Sequence, residues 1–293
     1  MATIEKDSVS GQSTTGHEWD GIKELNTPLP KWWVYVFWAC VVWSIGYWVV
    51  YPSWPTLNGY TPGIGLGSVV PANWTARGQL DGDLVAQKAG RAAWLSKIEA
   101  SSVDAIEKDK DLLRYAMAGG KIAFNENCAP CHGVGGVGAY GFPTLADDEW
   151  LWGGSLADIE QTIKFGVRNT NANSRQSEMP KFGADGILKD DQIAAVADYV
   201  VSVASKAPAK GSAGEAVYAE NCAVCHGEDG SGNKEVGAPA LNNQIWLYKG
   251  GKDGVVAQVT KPKHGSMPAW SERLDASTVK LLAVYVHNLG GGK

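Results

Sequence analysis

Two short motifs in the chain could do chemistry. Cys128-Ala129-Pro130-Cys131-His132 and Cys222-Ala223-Val224-Cys225-His226 each place two thiols three residues apart, with an imidazole directly after. Thiols at i and i+3 can add to the two vinyl groups along one porphyrin edge, and the adjacent histidine then faces the iron. Cys-x-x-Cys-His is the attachment signal for c-type heme. A zinc ribbon also uses paired Cys-x-x-Cys units. Here, however, a histidine follows both pairs, and the pairs stand 94 residues apart. A thioredoxin-like redox pair would need a strand–helix–strand context, which surrounds neither motif. We therefore expect two covalently bound hemes c, held by Cys128, Cys131, Cys222 and Cys225, with His132 and His226 as iron ligands.

The sixth ligand follows from the methionines. The chain has four, and two of them, Met179 and Met267, precede proline 47 and 41 residues beyond His132 and His226. Their equivalent placement points to axial thioethers, whereas Met117 reads as core filling. His132 is the sole histidine between residues 111 and 206, so bis-histidine ligation within that segment is excluded. His264, three residues before Met267, is the one competitor; His287 and His17 read as surface residues. Met/His ligation raises the iron potential and fills both axial positions, which suits electron transfer and not oxygen chemistry. No catalytic site is expected. A backbone carbonyl near Pro143 or Pro239 would accept the Nδ1 proton of each iron-binding histidine and fix its ring.

The elements that must position these groups come in two copies. Gly120–Cys128 recurs as Gly214–Cys222, Gly141–Leu145 as Gly237–Leu241, Trp150–Gly154 as Trp246–Gly251, and Met179–Phe182 as Met267–Trp270. A helix should run into each cysteine pair, with Phe124 or Tyr218 one turn ahead of it. Each copy should close with an amphipathic helix. In the first, Asp190 is the expected N-cap for a stripe of Ile193, Val196, Ala197 and Val200. In the second, Asp275 caps Val279, Leu282, Ala283 and Val286, with Gly290 as the stop. Tyr199 and Tyr285 match on these closing helices. Gly120 and Gly214 would let the first and last helices of each copy cross closely. Residues 204–214, rich in Ala, Lys, Ser and Gly, form a short linker. The copies are bounded at 111–206 and 207–293, and residues 52–110 are a spacer, part extended and part helical.

Ahead of the spacer, residues 32–51 carry no charge. At ~1.5 Å per residue such a helix spans about 30 Å, a bilayer core. Trp32, Trp33, Tyr51 and Trp54 sit near its ends, at headgroup level. The run is too long for a signal peptide and lacks a cleavage site. Cys40 within it is a small apolar residue. Lys23 and Lys31 precede the helix closely, and residues 52–72 contain no Lys or Arg. The positive-inside rule then leaves tail 1–31 in the cytoplasm and the rest of the chain outside. A net charge of −5 gives no reason to expect nucleic acid.

The chain resembles the diheme subunit III (CcoP or FixP) of cbb3-type cytochrome c oxidases. The resemblance covers nearly its whole length: His17–Ile22 and Asn26–Trp33 before the membrane helix, Tyr51–Pro55 after it, then Asp148–Gly154, Gln244–Tyr248 and Gly265–Trp270. Met179-Pro-Lys-Phe182 departs from the family's usual Met-Pro-Ala-Trp. The resemblance implies an all-α architecture: one N-terminal transmembrane helix followed by two tandem class I cytochrome c-like domains. It implies that Cys128, Cys131, His132 and Met179 hold one heme, and Cys222, Cys225, His226 and Met267 the other. It further implies a bacterial inner-membrane location with periplasmic heme domains. The partners would be a donor cytochrome c, the monoheme subunit and the heme–copper catalytic subunit of a proton-pumping oxidase, besides the lipid bilayer. Three alternatives share the heme features. A free-standing tethered shuttle gives no reason for the patterned tail, and a periplasmic dehydrogenase subunit would reverse the partner. A diheme peroxidase needs an open iron, which two Met-Pro sites oppose.

Overall fold

The structure, a computed structural model, describes residues 4–290. It forms two compact units, one up to Ala89 and one from Gly90 onward. In the first unit, strands β1 (Thr14–Trp19) and β2 (Ile22–Leu25) make an antiparallel hairpin. Asp20 and Gly21, both at positive φ, form its turn. Asp-Gly is the pairing such tight turns prefer, because the twist they need requires φ > 0 at both positions. The all-α expectation therefore needs this small addition.

Helix α1 (Lys31–Val50) follows Pro30 and ends before Pro52. None of its residues is buried in the protein, so its apolar surface faces outward on every side. It is long and apolar enough to cross a membrane. Aromatic rings stack along it at i, i+4 spacing, as in Trp33–Phe37 and Trp43–Tyr47. Ser44, its one hydroxyl residue outside the tyrosines, returns its proton to the Cys40 carbonyl at 2.8 Å. Beyond it a second short antiparallel pair joins Pro55–Thr56 to Gly59–Tyr60, the chain is otherwise irregular to about residue 75, and α2 (Ala76–Ala100) and α3 (Val103–Lys108) follow.

The second unit contains helices α4 (Lys110–Asn127), α5 (Ala129–His132), α6 (Leu156–Phe165), α7 (Asp190–Ala204), α8 (Ala213–Asn221), α9 (Ala223–His226), α10 (Gly251–Thr260) and α11 (Ala276–His287). They build two hydrophobic cores. The first is made by α3, α4 and α6 with α11, and centres on Phe124, Ile106 and Leu282. The second is made by α7, α8 and α10, around Ile193, Val196 and Tyr218.

The packing of these cores crosses the boundary between the two copies. The helix leading into each cysteine pair crosses the closing helix of the other copy: α4 packs on α11 and α8 on α7. Phe124 meets Tyr285 with ring centroids 5.4 Å apart, and Tyr218 meets Tyr199 at 5.3 Å. The glycines work as expected but on exchanged partners. A Cβ on Gly120 would strike the Leu281 carbonyl, and one on Gly214 the Ala195 carbonyl. The second core is thus one continuous stretch, from about Met179 to Val259, inserted between the two parts of the first.

The physical reason lies in the linker. Only residues 205–212 separate α7 from α8. Helices joined by so short a connection pack as antiparallel neighbours. Once α7 is held against α8, α4 can bury its apolar stripe only against the equivalent helix α11. A smaller correction concerns α7, whose N-cap is Lys189: its N–H donates to Gln192 Oε1 at 3.0 Å, and Asp190 starts the helix. Asp275 caps α11 as expected, accepting from the Thr278 N–H at 2.8 Å.

Candidate functional site

Both Cys-x-x-Cys-His motifs fold into the same single turn. Cys128 closes α4 and Cys222 closes α8, each in right-handed helical conformation, and α5 and α9 follow at once. The N–H groups of His132 and His226 donate to the carbonyls of Cys128 and Cys222 at 2.9 Å. This turn puts the two thiols on one side, as i and i+3 positions require. Gly133 and Gly227, at φ +77° and +79°, then reverse the chain. Few residues other than glycine adopt that conformation cheaply.

The imidazoles are oriented as the sequence predicts. His132 Nδ1 lies 3.0 Å from the Pro143 carbonyl oxygen and His226 Nδ1 2.9 Å from that of Pro239. A carbonyl only accepts, so each Nδ1 carries the proton and each Nε2 presents its lone pair. Burial lowers the pKa of both rings, and the carbonyl contact opposes it only in part. Both are held neutral, the form that ligates iron. Burial, with the second thiol adding, pushes Cys128 and Cys222 up to about 11. Among the described residues no cluster of three or more His, Cys, Asp or Glu side chains could hold a metal ion.

The methionines converge on these turns in exchanged order. Met179 lines a cavity with Cys222, Cys225 and His226, walled by Val196, Val200 and Tyr248. Met267 packs against the first core, as do Cys128, Ala129 and Trp270. The sequence groups Met179 with His132 and Met267 with His226, whereas here Met179 lies with the His226 turn and Met267 packs on the core of the Cys128 turn. The crossing of the two chain segments carries the exchange: Val167 and Met267 exchange backbone hydrogen bonds of 3.0 and 2.9 Å. His264 Nε2 accepts the Met179 N–H at 3.0 Å, so it contacts the methionine's backbone. His287, expected at the surface, is largely buried, with Nδ1 2.9 Å from Glu107 Oε1. His17 is exposed.

One residue escaped the sequence reading. The Trp150 indole N–H is buried without a hydrogen-bond partner among the described residues; the ring packs against the first core, as Cys128 and Met267 also do. An orphaned buried donor is rare. A heme carboxylate would supply the acceptor that is absent there among the described residues. The residues present fit the group. The signal was the repeated Trp150/Trp246 block, whose indole nitrogen carried no assignment.

Comparisons with known proteins agree. The N-terminal domain of cbb3 cytochrome oxidase FixP matches residues 11–58. Cytochrome c matches 116–204, and cbb3-type cytochrome c oxidase subunit III matches 209–286. The cbb3-type cytochrome c oxidase subunit CcoP of Azospirillum sp. (strain B510) is 54% identical over all of both chains. The FixP subunit of Bradyrhizobium diazoefficiens is 49% identical over 99% of this chain and 98% of its own. CcoP of Cereibacter sphaeroides is 42% identical over 96% and 95%. Two cytochrome c domains, two hemes c and one membrane-length helix are thus combined in one electron-transfer chain. It belongs to the subunit III (CcoP/FixP) family of cbb3-type cytochrome c oxidases.

Proposed function

We propose that one heme is held by Cys128, Cys131, His132 and Met267, and the other by Cys222, Cys225, His226 and Met179. The observation that carries this is the convergence of each Met-Pro segment on the cysteine–histidine turn of the opposite copy. When bound, heme iron supplies reversible one-electron oxidation and reduction, at a potential that Met/His ligation raises. The chain's own residues do the rest. The proline carbonyls fix the imidazole tautomers, and Trp150 would donate to a heme carboxylate.

The chain takes electrons from a donor cytochrome c and passes them to the monoheme and heme–copper subunits of a proton-pumping oxidase. Its relatives' names and the matched tail before α1 support this reading. The tail faces the cytoplasm of a bacterial inner membrane and the heme domains face the periplasm. Lys23 and Lys31 ahead of α1, against none in 52–72, support that orientation. Purification in mild detergent tests the assignment. Co-purification with a copper-containing, multi-heme oxidase is expected, and isolation as a lone cytochrome would overturn it.

A further inference from the structure

The two methionine segments meet at one side chain, Arg168. Its Nε donates to the Gly265 carbonyl at 2.7 Å and its Nη1 to the Ser177 carbonyl at 3.0 Å. Each acceptor lies two residues ahead of a Met-Pro methionine, Met267 in one case and Met179 in the other. The backbone of Arg168 is held just as firmly. Its N–H donates to the Arg175 carbonyl at 2.8 Å, and its carbonyl accepts from Ser266 Oγ at 2.9 Å. It adopts φ +47°, a left-handed conformation uncommon outside glycine. Its neighbour Val167 pairs with Met267 itself.

Arg168 is half-buried, and among the described residues no carboxylate lies within 4.0 Å of its guanidinium. Burial pulls its pKa down. Desolvating a guanidinium is costly unless its N–H groups are satisfied, and here two carbonyls satisfy them. A planar guanidinium holds its donors at fixed angles, so two acceptors bound to it are fixed relative to each other.

We propose that Arg168 is a shared positioning residue for both axial methionines: one guanidinium ties the segment before Met179 to the segment before Met267. The two ligand loops then behave as one unit, and loosening the fork loosens both thioethers from their irons. This rests on the ligand assignment proposed above.

The test uses the full-length holoprotein, oxidised, with imidazole as a competing iron ligand and the Met–iron charge-transfer band as readout. Met179→Leu and Met267→Leu first establish each heme's share of that band. If neither removes part of it, the ligand assignment fails, independently of Arg168. Arg168→Gln is expected to raise imidazole affinity about tenfold at both hemes, the effect of losing roughly one charge-assisted hydrogen bond at each. An increase at one heme only, or at neither, overturns the proposal. So does a lower melting temperature with unchanged affinities, which marks a merely structural role. Arg168→Lys keeps the charge without the fork and is expected to recover only part of the effect; full rescue would contradict the geometry. Should the glutamine variant lose heme, the lysine variant carries the test: raised affinity at both hemes supports the proposal, wild-type affinity overturns it.

Discussion

At the residue scale, each motif histidine is placed by three features that agree: a one-turn helix, a reversing glycine and a proline carbonyl on Nδ1. The proline carbonyl was read from the sequence, and the other two were within reach of it, since all three lie within 13 residues of the histidine. Trp150 was not. Its importance shows only once burial is known and no acceptor is found. An indole N–H aimed at a heme carboxylate would offset part of its negative charge, which otherwise favours ferric iron. Trp150→Phe keeps the ring and removes the donor. It is expected to lower the midpoint potential of the heme at His132, by at most about 60 mV, with the heme at His226 unchanged. A potentiometric titration of both hemes checks this; equal shifts would count against it.

At the element scale, the two helix crossings decide how well each cradle is formed. Gly120→Ala would drive a methyl into the Leu281 carbonyl and the Tyr285 side chain. A forced separation of α4 and α11 is expected to cost about 1–3 kcal/mol in denaturant unfolding. It should also weaken Met ligation at the His132 heme, although Leu281 and Tyr285 belong to the other copy. Asp275, the cap of α11, makes a second prediction. Burial works against its ionisation, but hydrogen bonds from Ser277 and Thr278 outweigh this and hold its carboxyl below its ordinary value. Its contribution is therefore full at neutral pH and is lost as the pH falls through that lowered value. Asp275→Ala should cost about 1 kcal/mol at neutral pH. The gap between variant and wild-type denaturation midpoints should narrow in acid. The stripes, the Asp275 cap and the crossing glycines were all readable from spacing. The partner of each helix was not. Phe124 with Tyr199 and Phe124 with Tyr285 are chemically near-equivalent pairings, so the repeat that revealed the copies also hid their exchange. The eight-residue connection between α7 and α8 was the available signal.

At the scale of the whole molecule, the copies stand in tandem in the sequence while each core draws on both. The family models divide the chain between 204 and 209, yet α11 and Met267 complete the first core. A chain ending after Lys206 would keep every residue of the first copy but lose its closing helix. Its single heme is expected to be high-spin or to bind imidazole freely, as an absorption spectrum would show; independent tandem domains would instead give an intact His/Met heme. The membrane helix was legible from composition; the hairpin ahead of it was not read, although Asp20-Gly21 was the available signal.

Single-heme chains distinguish crossed from in-copy methionine ligation. In a Cys128→Ala/Cys131→Ala background only the His226 motif can carry heme. There, Met179→Leu is predicted to abolish the Met–iron charge-transfer band, and Met267→Leu to leave it in place. Loss of the band on replacing Met267, with Met179→Leu silent, would contradict the account.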